Sequence, residues 1–265
     1  MKKAFSKIYL GLVYLFLYAP IIVLIVFSFN ESKSKSHFSG FSFKWYVELF
    51  EDELIMTSLF NTLILALVSS VIATLIGTMA AIGIYSMRKK SRSAVMWVTN
   101  LPMMNPEVVT GISMMLLFVA FSSIFGIQQG FYSVLIAHIT FNLPYVILNV
   151  LPKLYQVNNN LFEAALDLGC TPRQAFFKVI IPEIMPGIFS GFLMAVTLSL
   201  DDFIISYFTS GSDFQTLPVT IYSMLRKQVP PSLNALSALM FVAVLIILLI
   251  SNITAIRKEK AEMKR

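Results

Sequence analysis

The sequence predicts an all-α, polytopic membrane protein: six transmembrane helices with a cytoplasmic helical elbow between two of them. Three observations lead there. Hydrophobic residues fill 57% of the 265 positions and charged residues only 13%, whereas soluble domains carry charge at about a quarter of theirs. Six apolar stretches approach or exceed the ~20 residues that a helix needs to cross ~30 Å of hydrocarbon. Lys and Arg also alternate in density from one connecting segment to the next, as they do when a chain is threaded back and forth through a bilayer.

The predicted spans are 8–29, 59–87, 94–124, 130–151, 186–208 and 233–256. The first follows Lys2, Lys3 and Lys7, as a secretory signal would. Its apolar core is too long for a signal and "VFSFNESKS" offers no small-x-small cleavage site, so it reads as a retained anchor kinked at Pro20. In the outer segment after it, Phe43, Tyr46, Val47 and Phe50 fall at helical spacing and predict a short helix lying on the membrane surface, with Trp45 available as an interfacial anchor. The third stretch contains Pro102 and Pro106, which predict a broken helix restarting with Asn105 as cap, Pro106 as first residue and Glu107 opening the second half. If the first half stays helical from Ala94, Glu107 lies ~20 Å along it, deep in the bilayer.

Orientation follows from the cations. With the N-terminus inside, cytoplasmic segments hold fifteen Lys and Arg and outer segments five, Lys33, Lys35, Lys44, Arg226 and Lys227. Both termini are therefore expected in the cytoplasm, and the net charge of +6 needs no nucleic acid to explain it. The tail "RKEKAEMKR" is expected to face lipid headgroups. Cys170, the single cysteine, excludes an intrachain disulfide and is expected as a small buried residue. His37 is expected on an exposed loop and His138 as a hydrogen-bonded residue inside the bundle, with no spacing that suggests a metal site.

The inner loop, 153–182, reads as two short helices, "NNLFEAALDLG" and "TPRQAFFKVIIP". Asn160 with Glu163 three residues on predicts a capping box, Gly169 a stop, and Thr171 with Pro172 a second cap and first helical residue. Such an elbow wants a partner's groove. Within it Glu163, Ala164 and Ala165 are followed by three residues, Gly169, nine residues, Val179, one residue, Ile181 and Pro182. This spacing resembles the E-A-A-x3-G-x9-I-x-L-P loop of the permease subunits of binding-protein-dependent ABC importers, with Val for Ile and Ile for Leu. Further segments, "KWY", "MMNPEVVTGIS", "AHITFNLPYV" and "LSLDDFIISYF", extend the resemblance over nearly the whole chain to the polyamine permeases of that family.

The resemblance implies a type I importer permease fold in one transmembrane domain, 1–265, in a bacterial inner membrane. It implies a heterodimeric pore with a second homologous permease subunit, two ATPase copies docked on the elbows, and an extracytoplasmic binding protein delivering spermidine or putrescine. The chain has no G-x-x-x-x-G-K-[ST] loop, so it is expected to bind no cofactor itself, with ATP and Mg held by the ATPase. Glu163, Ala164, Ala165, Gly169 and Pro182 are implied in ATPase coupling. Trp45, Glu107, Ser199, Asp201 and Asp202 are implied in the substrate path. Glu107 departs from the family pattern, which has Asp there.

The residues themselves favour a cationic cargo. Within the predicted spans the charged residues are Glu107, Asp201 and Asp202, with no Lys or Arg. An acid near the centre of a lipid-facing helix costs ~2.5–3.5 kcal/mol, so these are expected to face an interior or a watery cavity and to receive a cation from outside. Neighbouring helical residues point ~100° apart, so one Asp is expected to meet substrate while the other caps or pairs. Phe203, Tyr207 and Trp45 offer cation-π faces between the acids, and Ser199 a hydroxyl. Two alternatives remain open: an ABC importer for another small solute, and a proton-coupled secondary transporter that would need no elbow. A membrane enzyme lacks a nucleophile, base and metal constellation.

Overall fold

A computed structural model describes residues 2–33, 37–126, 128–226, 230–242 and 245–246. Its elements are helices: α1 (Lys2–Ser28), α2 (Lys44–Glu51), α3 (Glu53–Ser86), α4 (Lys89–Met104), α5 (Glu107–Phe125), α6 (Phe131–Gln156), α7 (Asn159–Asp167), α8 (Pro172–Ala175), a π-helical turn (Phe176–Ile180), α9 (Ile181–Asp201), α10 (Ile204–Thr209) and α11 (Leu217–Leu225). A further apolar helix spans Ser232–Val242. The chain divides into two compact units, 1–56 with 221–265, and 57–220.

Among the described residues five helices are long and apolar enough to cross a membrane: Tyr9–Ser28, Glu53–Ser86, Glu107–Ile124, Phe131–Gln156 and Pro172–Asp201. The sixth predicted span, 233–256, begins as the helix Ser232–Val242, and most of its remainder lies outside the described residues, as does the basic tail. Helix α1 continues through Pro20. The expected break in the third stretch is present one residue later than read. Helix α4 runs through Pro102 to Met104, Asn105 is extended, and Pro106 rather than Asn105 is the cap, with Glu107 first in α5. The cap shifts because proline's fixed φ and missing N–H suit the entry to a helix as well as its first turn.

In the first unit, α2 forms where the outer segment was expected to be helical, but its buried residues are Trp45 and Leu49. Phe43, Val47 and Phe50 of the anticipated apolar stripe are the exposed ones. The Trp45 indole N–H donates to the Asn30 carbonyl, and the Tyr46 and Ser28 hydroxyls lie 2.7 Å apart. Phe29 stacks on Phe41 with ring centroids 5.0 Å apart and meets Phe43 edge-on at 5.5 Å, so the segment folds on an aromatic cluster.

In the second unit α6 packs along α9 through small residues. Gly187, Gly191, Ala195 and Ser199 recur every fourth position and are all buried, the small-xxx-small ridge that lets helices approach where lipid supplies no hydrophobic drive. A β-carbon at Gly187 would lie 2.9 Å from the Asn149 carbonyl, and one at Gly77 of α3 2.7 Å from the Val146 side chain. A core of Ala81 and Ile84 from α3, Val146, Val150, Leu151 and Leu154 from α6, and Ile184 and Ala195 from α9 closes one end. Toward the other, Ala137, Phe141 and Ile205 are buried with Met114, Phe118, Tyr145 and Leu198 packed against them. Gly111 of α5 is covered by Ile204 and Phe208 of α10.

Candidate functional site

Three groups of expected site residues lie in the second unit: the elbow, the α9–α10 junction and the start of α5. In the elbow the first cap is Asn158, whose side chain accepts the Asn160 N–H at 3.0 Å, so Asn160 is inside α7 and Glu163 does not complete a capping box. "NNN" offers three equivalent caps, and the chain uses the first, which makes α7 two residues longer at its start than a cap at Asn160 would. Gly169 ends the elbow's first arm at φ +87°, a conformation that glycine adopts without strain. Thr171 caps α8 with a complete capping box to Gln174 and Pro172 follows it. Ala165 and Ala175 are buried between the arms, Glu163 and Ala164 are exposed, and Leu161, Leu168 and Phe177 hold apolar surface in the open. Cys170 is half-buried, less enclosed than expected, because it follows the turn at Gly169.

Beyond the elbow the helix widens. The Ile181 N–H reaches back five residues to the Phe176 carbonyl, closing a π turn directly before Pro182. A proline has no N–H to give and its ring clashes with the carbonyl four residues back, here Lys178. The wider turn removes that conflict.

The two adjacent acids part company at the α9–α10 junction. Helix α9 ends at Asp201, Asp202 is extended (φ −67°, ψ 119°) and α10 restarts at Ile204. Asp201 is exposed and makes no hydrogen bond or ion pair among the described residues. Asp202 is turned inward with its side chain 6% exposed, and its Oδ2 lies 3.3 Å from His138 Nε2. It also accepts the Ile205 N–H at 3.2 Å and the Ser206 N–H at 2.7 Å. The expectation that all three acids lack an internal base is therefore corrected for Asp202, which faces the His138 imidazole. The continuous span expected over 186–208 is also corrected, because the carboxylate takes the amide protons that an unbroken helix would give to its own carbonyls.

Ser199 is buried, not open. Its hydroxyl receives the Asn142 amide at 2.8 Å and meets the Ser69 hydroxyl at 3.1 Å, tying α3, α6 and α9 together. Glu107 is exposed at the first position of α5, within electrostatic reach of the Tyr145 hydroxyl. Because α10 lies on α5 at Gly111, Glu107 stands one turn before that contact and Asp201 three residues before Ile204. Both acids thus lie at the same end of the α5–α10 pair. Phe203 and Tyr207 stand beside them, rings 5.4 Å apart. Trp45 belongs to the other unit and is wholly buried.

His138, Asn142 and Tyr145 were not singled out as site neighbours. Their signal was present: polar positions 138, 142, 145 and 149 recur every three or four residues through an apolar span and make one stripe on α6.

Residues 73–257 match the family described as the binding-protein-dependent transport system inner membrane component. The spermidine/putrescine transport system permease protein PotC of Escherichia coli K12 is 37% identical over 248 residues, 94% of this chain and 92% of that one. The putrescine transport system permease protein PotI of the same organism is 37% identical over 252 residues, 94% of this chain and 90% of its own. In fold the chain is similar to a subunit of a bacterial alginate ABC transporter crystallised with an alginate pentasaccharide-bound periplasmic protein, with a TM-score of 0.67, 18% identity and 93% and 91% of the two chains covered. The helical architecture, the elbow with its spacing and the match over most of the length have one reading: the chain belongs to the inner-membrane components of binding-protein-dependent transport systems.

Proposed function

We propose that this chain is the permease subunit of an ATP-driven importer that moves polyamines of the spermidine and putrescine type across the inner membrane. Hydrolysis of ATP with Mg takes place in a separate ATPase, two copies of which dock on the elbows of this chain and of a second permease subunit. An extracytoplasmic binding protein delivers the cargo, and both termini of this chain face the cytoplasm. The names and lengths of the relatives support the cargo class.

One observation carries the reading of the path: Glu107 and Asp201 are exposed at one end of the α5–α10 pair, without a cationic partner among the described residues and with aromatic rings alongside. Carboxylates in an apolar span are tolerated where they face water or a cation. Ammonium groups separated by methylenes satisfy both features, the charges at the acids and the methylenes along Phe203 and Tyr207. Alternating access then moves the cargo inward, and binding in the path stays weak because a passage site must release what it accepts. Ser199 and Asp202 support the path from inside the bundle, and Trp45 supports the fold of the outer segment.

Radiolabelled spermidine uptake by the reconstituted complex tests this. Asp201→Asn and Glu107→Gln each remove one charged contact, worth ~1.5–3 kcal/mol, and should raise KM by about tenfold or more. Unchanged uptake in both variants would remove the carboxylate-lined route. Uptake that persists without the ATPase and collapses with an uncoupler would replace the importer with a proton-coupled carrier.

A further inference from the structure

We infer that His138 is a positioning residue for transport: through Asp202 and Ser206 it holds the break between α9 and α10 that turns Asp201 toward the cargo, while Asp202 itself does not touch cargo. This rests on the reading of Asp201 given above.

Both oxygens of Asp202 are in use. Oδ1 accepts the Ile205 N–H, and Oδ2 accepts the Ser206 N–H while facing His138 Nε2. His138 Nε2 also lies 3.0 Å from the Ser206 hydroxyl, so imidazole, carboxylate and hydroxyl close a small ring of polar contacts around the first turn of α10. His138 and Asp202 side chains are 2% and 6% exposed. A carboxylate enclosed in this way has no edge left for an ammonium group. Its neighbour is the opposite case, since Asp201 is exposed and its side chain is not engaged.

What separates them is the break. In a continuous helix the Ile205 and Ser206 amides would bond to the carbonyls of Asp201 and Asp202, four residues back. Here they go to the Asp202 side chain, which caps α10 as an Asp caps any helix start. The cap needs an anchor, because α10 has only six residues. That anchor is His138, carried by α6, the helix packed along α9. Moving the imidazole would free Asp202, let the junction relax toward helix and swing Asp201 by a fraction of a turn.

The test is a set of cycles on the reconstituted complex, with spermidine KM and the yield of assembled complex both measured. His138→Ala should raise KM about tenfold, and His138→Gln, which keeps a side-chain N–H, should return it to within about twofold of the parent. In an Asp201→Asn background, His138→Ala should add less than about twofold, because the group it positions is already gone. Should His138→Ala fail to assemble, Ser206→Ala removes only the hydroxyl and should raise KM about threefold on its own. Effects of His138→Ala and Asp201→Asn that multiply, or a fall in assembly with KM unchanged in both His138→Ala and Ser206→Ala, would overturn the inference. An Asp201→Asn variant with parental KM would instead overturn the reading of the path on which it rests.

Discussion

Trp45 shows how much a residue's role depends on where its atoms point. Read from the sequence, it suits an interfacial anchor or an amine-binding face. In the fold its ring is wholly buried, its N–H donates to the Asn30 carbonyl, and the Lys44 ammonium lies 5.2 Å from its ring centroid. Trp45→Phe keeps an aromatic ring and loses the N–H, which should cost ~1 kcal/mol, whereas Trp45→Ala empties the site and should cost ~3–5 kcal/mol. Thermal unfolding of the detergent-solubilised complex should therefore rank parent, Phe and Ala in that order, with spermidine KM unchanged in the Phe variant. A raised KM at parental stability would return Trp45 to the path. The paired acids carry the same lesson. Their presence in an apolar run was readable, and so was the need for them to diverge. Which of the two is enclosed was not, because the partners that decide it, His138 and Ser206, lie 68 residues apart in the chain and meet only when α6 and α10 pack.

Helices were readable by length and their breaks by proline, since both are local properties of the backbone. Caps moved by one or two residues, as at Asn158 and Pro106, because several neighbouring side chains can each serve and packing selects among them. Packing between helices left a fainter mark, the four-residue recurrence from Gly187 to Ser199. Its energetic content separates two glycines of the same chemistry. At Gly187 an added β-carbon would lie 2.7 Å from Lys153 Cγ and 2.9 Å from the Asn149 carbonyl, so α6 and α9 would have to separate. Near Gly83 there is nothing within 4 Å. Gly187→Ala should destabilise by ~1–3 kcal/mol as overpacking does, and Gly83→Ala should stabilise by up to ~1 kcal/mol through helix propensity. Opposite shifts of the thermal midpoint check both, and matching shifts would show that α6–α9 contact does not depend on the missing β-carbon.

The elbow and the acids stand at the two ends of one helical run from Pro172 to Asp201, interrupted only by the π turn. Helices α7 and α8 pack on each other and on that turn, with Ala165 and Ala175 buried, so the elbow and Phe176–Ile180 form one packed piece. Whatever fixes the rotation between the turn and α9 therefore sets the direction in which Leu161, Leu168 and Phe177 present their exposed apolar surface to a partner. Pro182 is that fixture. It withholds an N–H and excludes the Lys178 carbonyl from its normal place, and the backbone responds with one extra residue in the turn. Pro182→Ala restores the donor and removes the ring. Closing the π turn to α-helix gives the residue that the wide turn absorbs its own ~100° of rotation between elbow and α9. On the docking proposed above, the ATPase would then meet the elbow at the wrong angle while Glu107 and Asp201 stay where they are. In the reconstituted complex, Pro182→Ala should lower uptake per ATP hydrolysed by about tenfold, a coupling loss of ~1.4 kcal/mol, with spermidine KM unchanged. Parental coupling in that variant would show that the turn does not orient the elbow, and a raised KM would show that the elbow and the acids are not independent along this helix.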